Sequence, residues 1–150
     1  MKFNNRILVG VIFGVTTVLG SSMAVAKNVE LKFPIKPAIS STEATSKLGS
    51  EVKFYFGDQS HASVSKKLGA VHTSTKTNSF WKDDDVACNR TFLSSLLNLK
   101  KQAKELGANA VINITSSYKG SATNSSKDTY TCGTGAIMNG TQLKGEAVKI

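Results

Sequence analysis

Residues 83–118 read DDDVACNRTFLSSLLNLKKQAKELGANAVINITSSY, and the period of their apolar positions changes once. In the first part Leu93, Leu96, Leu97, Ala103 and Leu106 recur at helical spacing, with Val86 and Phe92 extending the stripe. The run Asp83, Asp84, Asp85 suits the positive end of a helix, and its carboxylates can cap free amides. Lys100, Lys101 and Lys104 fall near the other end, which favours cations. Gly107 is a residue able to take the left-handed conformation that closes a helix. Beyond it, Ala110, Ile112 and Ile114 alternate with Val111, Asn113 and Thr115, the period of a strand. The stretch therefore predicts one long helix turning directly into a strand over residues 109–118.

Working outward, residues 119–127 are a polar loop. Residues 128–138 read as a strand with Tyr130, Cys132, Ala136 and Met138 on one face. Asn139-Gly140 has the composition of a hairpin turn, and residues 141–150 form the returning strand. On the N-terminal side, residues 29–33 are extended and end at Pro34 and Pro37. Residues 40–48 suit a short helix stopped by Gly49. In residues 51–56, Val52, Phe54 and Phe56 share one face of a strand. A further strand is expected within residues 64–75, with a turn or bulge at Gly69, and residues 73–80 read as a Ser/Thr/Asn-rich loop. The sum is an α+β domain: one long helix packed on a mainly antiparallel sheet of about four to five strands.

Residues 1–26 have the pattern of a secretory signal peptide. Lys2 and Arg6 form a basic end, residues 7–20 are apolar, and Ala24-Val25-Ala26 is a small-residue cleavage site. The apolar run is shorter than the roughly 20 residues that span a membrane. The expected mature form is a single domain of residues 27–150, secreted to the periplasm or beyond, with no transmembrane anchor. No cysteine follows the cleavage site to carry a lipid. Removing Lys2 and Arg6 takes 19 bases to 17 against 10 acids, and the formal charge from +9 to +7.

The two cysteines, Cys88 and Cys132, are expected to meet an oxidising compartment and pair as a disulfide. No Cys-x-x-Cys is present, and neither histidine neighbours a cysteine in sequence. Closing this loop is worth roughly 4 kcal/mol by chain entropy.

Several segments together resemble a group of small exported proteobacterial proteins that often carry the label "excinuclease ATPase subunit". They are KFYFGDQ at residues 53–59, the acidic helix start with Cys88, LGANAV at 106–111, residues 132–138, and the ending GEAVKI at 145–150. The label itself does not fit, because no Gly-x-x-x-x-Gly-Lys-Ser/Thr loop is present to cradle phosphates. More distantly, the helix–LGANAV–strand unit with its cysteines is similar to the Rcs envelope-stress sensor lipoprotein and to YbjQ-type domains. What these resemblances imply is a small α+β fold without an established catalytic residue set.

No motif carries a reaction. His61 and His72 are eleven residues apart and lack the spacing of metal ligands; Asp58, three residues before His61, could join only a weak site. The aspartate run lacks the alternation of a calcium loop. No Gly-x-Ser-x-Gly elbow is present. No catalytic residue, cofactor or metal is therefore assigned. Of the 17 mature bases only Arg90 is an arginine, which argues against sequence-specific nucleic-acid reading.

Lys66, Lys67, Lys100, Lys101 and Lys104 are candidate contacts to an anionic surface. Trp81 and Phe80 flank the helix start as a candidate aromatic patch, with Phe92 expected in the core. The expected function is a secreted, non-catalytic binding module whose partner is a protein or an anionic envelope or host surface, contacted through lysines and exposed loops such as residues 73–82 and 119–127. A periplasmic envelope-stress or metal-stress protein is the alternative, and a hydrolase with no recognisable motif ranks last. Alkylation of the denatured, unreduced exported protein should find no free thiol; two labelled cysteines would contradict the pairing.

Overall fold

A computed structural model of the chain describes residues 28–150; the signal peptide expected at residues 1–26 lies outside the described residues. Among the described residues the order is β1 (Val29–Pro34), α1 (Ile35–Ser40), α2 (Thr42–Leu48), β2 (Lys53–Phe56), β3 (Lys66–Asn78), α3 (Asp84–Glu105), β4 (Ala110–Ser117), β5 (Thr129–Thr134) and β6 (Met138–Lys149). The fold is α+β, with α3 lying across a mostly antiparallel sheet.

The sheet holds six strands where about four to five were expected. The short N-terminal segment joins it, because β1 pairs with β5 along its whole length. Strand β2 joins at the other side, parallel to β4. The strand β6 organises the rest. One of its edges pairs with β3 from Met138 to Lys149. Its other edge meets β5 at Gly140 and then β4 from Gln142 to Val148. Two local readings are corrected here. Strand β3 runs on through residues expected to be a loop, because β-branched Thr73, Thr75 and Thr77 alternate with the exposed Ser74, Lys76 and Asn78. Asn139-Gly140 is not the turn but the start of β6, opposite Thr77 and Lys76. The bulge expected at Gly69 is present, between Lys67 and Gly69.

Helix α3 closes as a Schellman turn. The Gly107 amide donates to Lys104 O (2.9 Å), the Ala108 amide donates to Ala103 O (2.8 Å), and Gly107 takes φ +75°. The next residue, Asn109, clamps the chain end: its Nδ2 donates to Ile150 O and its Oδ1 accepts the Ile150 amide, both at 2.9 Å. Gln102 does the same for the edge of β3, accepting the His72 amide and donating to His72 O. The side-chain amide stands in for a neighbouring strand at His72, so the edge is covered at this residue. At the helix start Asp83 occupies the cap position without a side-chain capping bond, and Asp85 accepts the Val86 amide instead.

Ala87, Cys88, Phe92, Leu96, Leu99 and Ala103 face the sheet, where Val71, Val111, Ile114, Leu143 and Ala147 receive them. Val86 and Leu106, read into the apolar stripe, are exposed. The hairpin of α1 and α2 covers part of α3 with Ile35, Ala38 and Leu48. A smaller cluster of Ala110, Ile112 and Val148 forms a second core, packed by Tyr55, Val64 and Ile150.

The disulfide Cys88–Cys132 joins the first turns of α3 to the middle of β5, with the Cα atoms 6.0 Å apart. One helical turn along, Phe92 stacks on Tyr130, ring centroids 4.0 Å apart and planes inclined by 15°. Tyr130 donates its hydroxyl proton to Asn89 Oδ1 at 2.8 Å. Burial, aided by the negative charge of Asp85, raises the Tyr130 phenol well above its ordinary range. The folded state thus holds that proton more tightly than the unfolded chain. Its contribution to stability is full below about pH 10 and lost as the pH rises through the folded value. Replacing both cysteines (Cys88→Ala with Cys132→Ala) should lower the unfolding free energy by about 4 kcal/mol in a denaturant titration. A loss below about 1 kcal/mol would contradict the staple's role.

Candidate functional site

The lysines singled out from the sequence separate into paired and unpaired groups. Lys100 and Lys104 both reach Glu51, at 3.1 and 3.0 Å. Lys67 pairs with Glu146 at 3.2 Å, and Lys101 approaches Glu105 at 4.0 Å within the helix. Lys66 carries no ion pair among the described residues. Four of the five candidate contacts therefore stand beside a carboxylate, which lowers the field they present to an anion. Glu51 is held below its ordinary carboxylate range by hydrogen bonds from Lys104 and Lys100 and by their charge.

The histidines stand apart from one another. His61 is exposed, its Nδ1 sits 2.8 Å from Ala62 O, and its ring meets Tyr55 edge-on. His72 is an exposed residue of β3 whose backbone is held by Gln102. Asp58 lines a polar hollow of about 580 Å³ with Asp128, Lys127, Asn113 and two serines, and His61 is not part of it. Among the described residues no three His, Cys, Asp or Glu side chains come together as metal ligands. A separate apolar cleft of about 410 Å³ lies between α2 and β2, lined by Ile39, Leu48, Phe54, Phe56 and Leu96. Its only titratable side chains are Lys53 and Tyr55.

The concentration of unusual features lies elsewhere, where β3 ends and β5 turns into β6. Trp81 is 91% exposed, Ile137 62%, Phe80 54% and Met138 44%. The two segments that carry these side chains are joined by backbone bonding. The Ser79 amide donates to Ile137 O at 2.8 Å, Ser79 Oγ donates to Gly135 O at 3.2 Å, and Asn78 stands opposite Met138 in the β3–β6 ladder. Phe80 and Trp81 pack edge to face, centroids 4.9 Å apart.

Trp81 adopts φ +61°, a conformation that costs a bulky residue on the order of 1 kcal/mol. The turn around it is fixed on both sides. The Phe80 amide donates to Asn78 Oδ1 at 2.8 Å, the Lys82 amide to Ser79 O at 3.0 Å, and Lys82 Nζ to Asn78 O at 3.0 Å. Beneath it, buried Asn139 donates to Asp84 Oδ1 and accepts the Gly135 amide, tying the β5–β6 turn to the start of α3.

Beside the apolar tip runs a groove of about 360 Å³ lined by Lys76, Tyr118, Lys119, Ile137 and Met138 among others, and no carboxylate lines it. Tyr118 lies against Gly133, where a Cβ would stand only 2.1 Å from its ring, and Lys119 Nζ sits 5.3 Å from the ring centroid. Neither Lys76 nor Lys119 carries an ion pair among the described residues. Sequence reasoning marked Trp81 and Phe80, and its contact segments 73–82 and 119–127 contain Lys76 and Lys119, but it did not mark Ile137 or Met138. The contact of β3 with the β5–β6 turn is long-range, and the sole local signal was two apolar residues before an Asn-Gly pair.

In comparisons with known proteins, no family model matches this chain and no curated relative matches it. No helix among the described residues is long and apolar enough to cross a membrane.

The Glu51 carboxylate, favoured in its charged form by the fold, contributes stability above the unfolded-state pKa and loses it as the pH falls through its lowered folded value. Carboxyl-carbon NMR should place its midpoint below that of exposed glutamates. In a Lys100→Met, Lys104→Met variant the midpoint should return to the ordinary range, and an unchanged midpoint would contradict the pairing.

Proposed function

We propose that the protein is an exported, disulfide-stapled binding module that works by contact with an anionic partner rather than by catalysis. The observation that carries this reading is the tip formed by the end of β3 and the β5–β6 turn. A domain that seats Phe92, Leu96 and Leu99 fully in its core leaves Trp81 and Ile137 in solvent on a backbone bonded into place. Large apolar patches on small domains mark contact sites, and a backbone strained at Trp81 is retained where its placement matters.

The lysines give the sign of the partner. Lys76 and Lys119 face a groove without acids, whereas Lys100 and Lys104 are occupied with Glu51. The small exported proteins this chain resembles are consistent with such a role, since no reaction is implied by that resemblance.

Retention of the mature protein on immobilised heparin is the direct test. It should bind at low salt and elute as the ionic strength rises. Lys76→Ala with Lys119→Ala should elute clearly earlier than Lys100→Ala with Lys104→Ala. Passage through the column even at low salt would contradict the reading.

A further inference from the structure

We infer that the tip is a membrane-docking element: Trp81, Phe80, Ile137 and Met138 enter the interfacial layer of a lipid bilayer, and Lys76, Lys82 and Lys119 meet its anionic headgroups. This rests on the binding-module reading and gives it a partner. Three observations lead to a bilayer.

The first is the kind of side chain. The exposed tryptophan and phenylalanine are side chains that partition to the membrane interface, where an aromatic ring sits at headgroup level, and the exposed isoleucine and methionine on the neighbouring turn add apolar surface. The second is area. At roughly 150–250 Å² for a whole aromatic side chain, the four partly exposed groups offer on the order of 500 Å². A standard protein–protein interface covers about 800 Å² per partner, apolar and polar surface together, and this patch equals only its apolar part. Reversible attachment to a bilayer needs less, because a few inserted residues and electrostatic attraction act together. The third is the arrangement of charge. Lys76 and Lys119 line the groove that runs up to Ile137 and Met138, and Lys82 follows Trp81 in the chain. Lysine stems lie along apolar surface while the ammonium stays with the phosphates.

The acidic run that follows Lys82 keeps its charge and opposes this attraction, offset in part by the positive end of α3 on which it sits. Asp84 accepts a hydrogen bond from buried Asn139, and Asp85 accepts the Val86 amide. Fixing the two turns beforehand matters for a contact this small, since no ordering of the backbone is left to oppose binding.

Co-sedimentation of the mature protein with vesicles tests the assignment. Vesicles of phosphatidylcholine containing phosphatidylglycerol should carry the protein down, and vesicles of phosphatidylcholine alone should carry down much less. Raised salt should weaken binding to the anionic vesicles. Trp81→Ala combined with Ile137→Ser should weaken it by about tenfold or more, given the apolar surface withdrawn. Lys76→Ala with Lys119→Ala should weaken it on anionic vesicles alone, and Lys100→Ala should leave it unchanged. All these positions except Lys100 are exposed or line the open groove, and unchanged circular dichroism would show that each variant keeps its fold. Retention on heparin with no vesicle binding would overturn the lipid assignment and leave the binding-module reading standing. Failure on both would overturn both. Vesicle binding indifferent to Trp81 and Ile137 would also overturn the assignment of the tip.

Discussion

Two adjacent rungs between helix α3 and strand β5 hold this fold together. Cys88 and Phe92 are one helical turn apart, and Cys132 and Tyr130 are two residues apart on one face of a strand. The helix period and the strand period thus bring both pairs into register at once: a covalent bond on one rung and an aromatic stack on the next. The stack continues outward, Phe56 against Phe92 and Phe33 against Tyr130. The helix is thereby fixed in both position and rotation. The rest of its buried face, Leu96, Leu99 and Ala103, then falls over β3, β4 and β6.

Side-chain amides complete what the rungs begin. Asn109 holds the last residue of the chain, Gln102 covers the edge of β3 at His72, and Asn139 ties the β5–β6 turn to the first turn of α3 beside Cys88. Asn109 and Gln102 each stand in for a missing backbone partner with a two-point bond, and Asn139 joins one backbone amide to the side chains of Asp84 and Cys88. The consequence reaches the tip. The turn carrying Ile137 is anchored through Asn139 and Ser79 to elements that the disulfide has already immobilised. The exposed apolar groups are therefore displayed from a stiff base rather than from a free loop.

The long helix, its Gly107 stop and the strand after it were legible because their periods are carried by leucines and isoleucines, and the disulfide because two cysteines leave one pairing. The end of β3 was not legible. Its inward positions are threonines, so the alternation exists in shape and β-branching but not in hydrophobicity. Asn139-Gly140 misled for a different reason. Asn was selected there for three side-chain bonds in a buried corner and Gly for the approach of Lys76 and Tyr118, and neither is a turn requirement. The lysines show the limit of reading charge along a chain. Lys100 and Lys104 cluster in sequence and are taken up by one glutamate from a different element, while Lys76 and Lys119, 43 positions apart in sequence, share one groove.

That the fold keeps its single tryptophan out of its core, while seating Phe92, Leu96, Leu99 and Tyr130 inside it, is the central claim. Because Trp81 is the only tryptophan, its fluorescence reports that claim without a label. In buffer without lipid, the native protein should emit like indole in water and be quenched by acrylamide as freely as the unfolded chain, with little shift on denaturation. A blue-shifted, shielded emission that moves to the red on unfolding would contradict it.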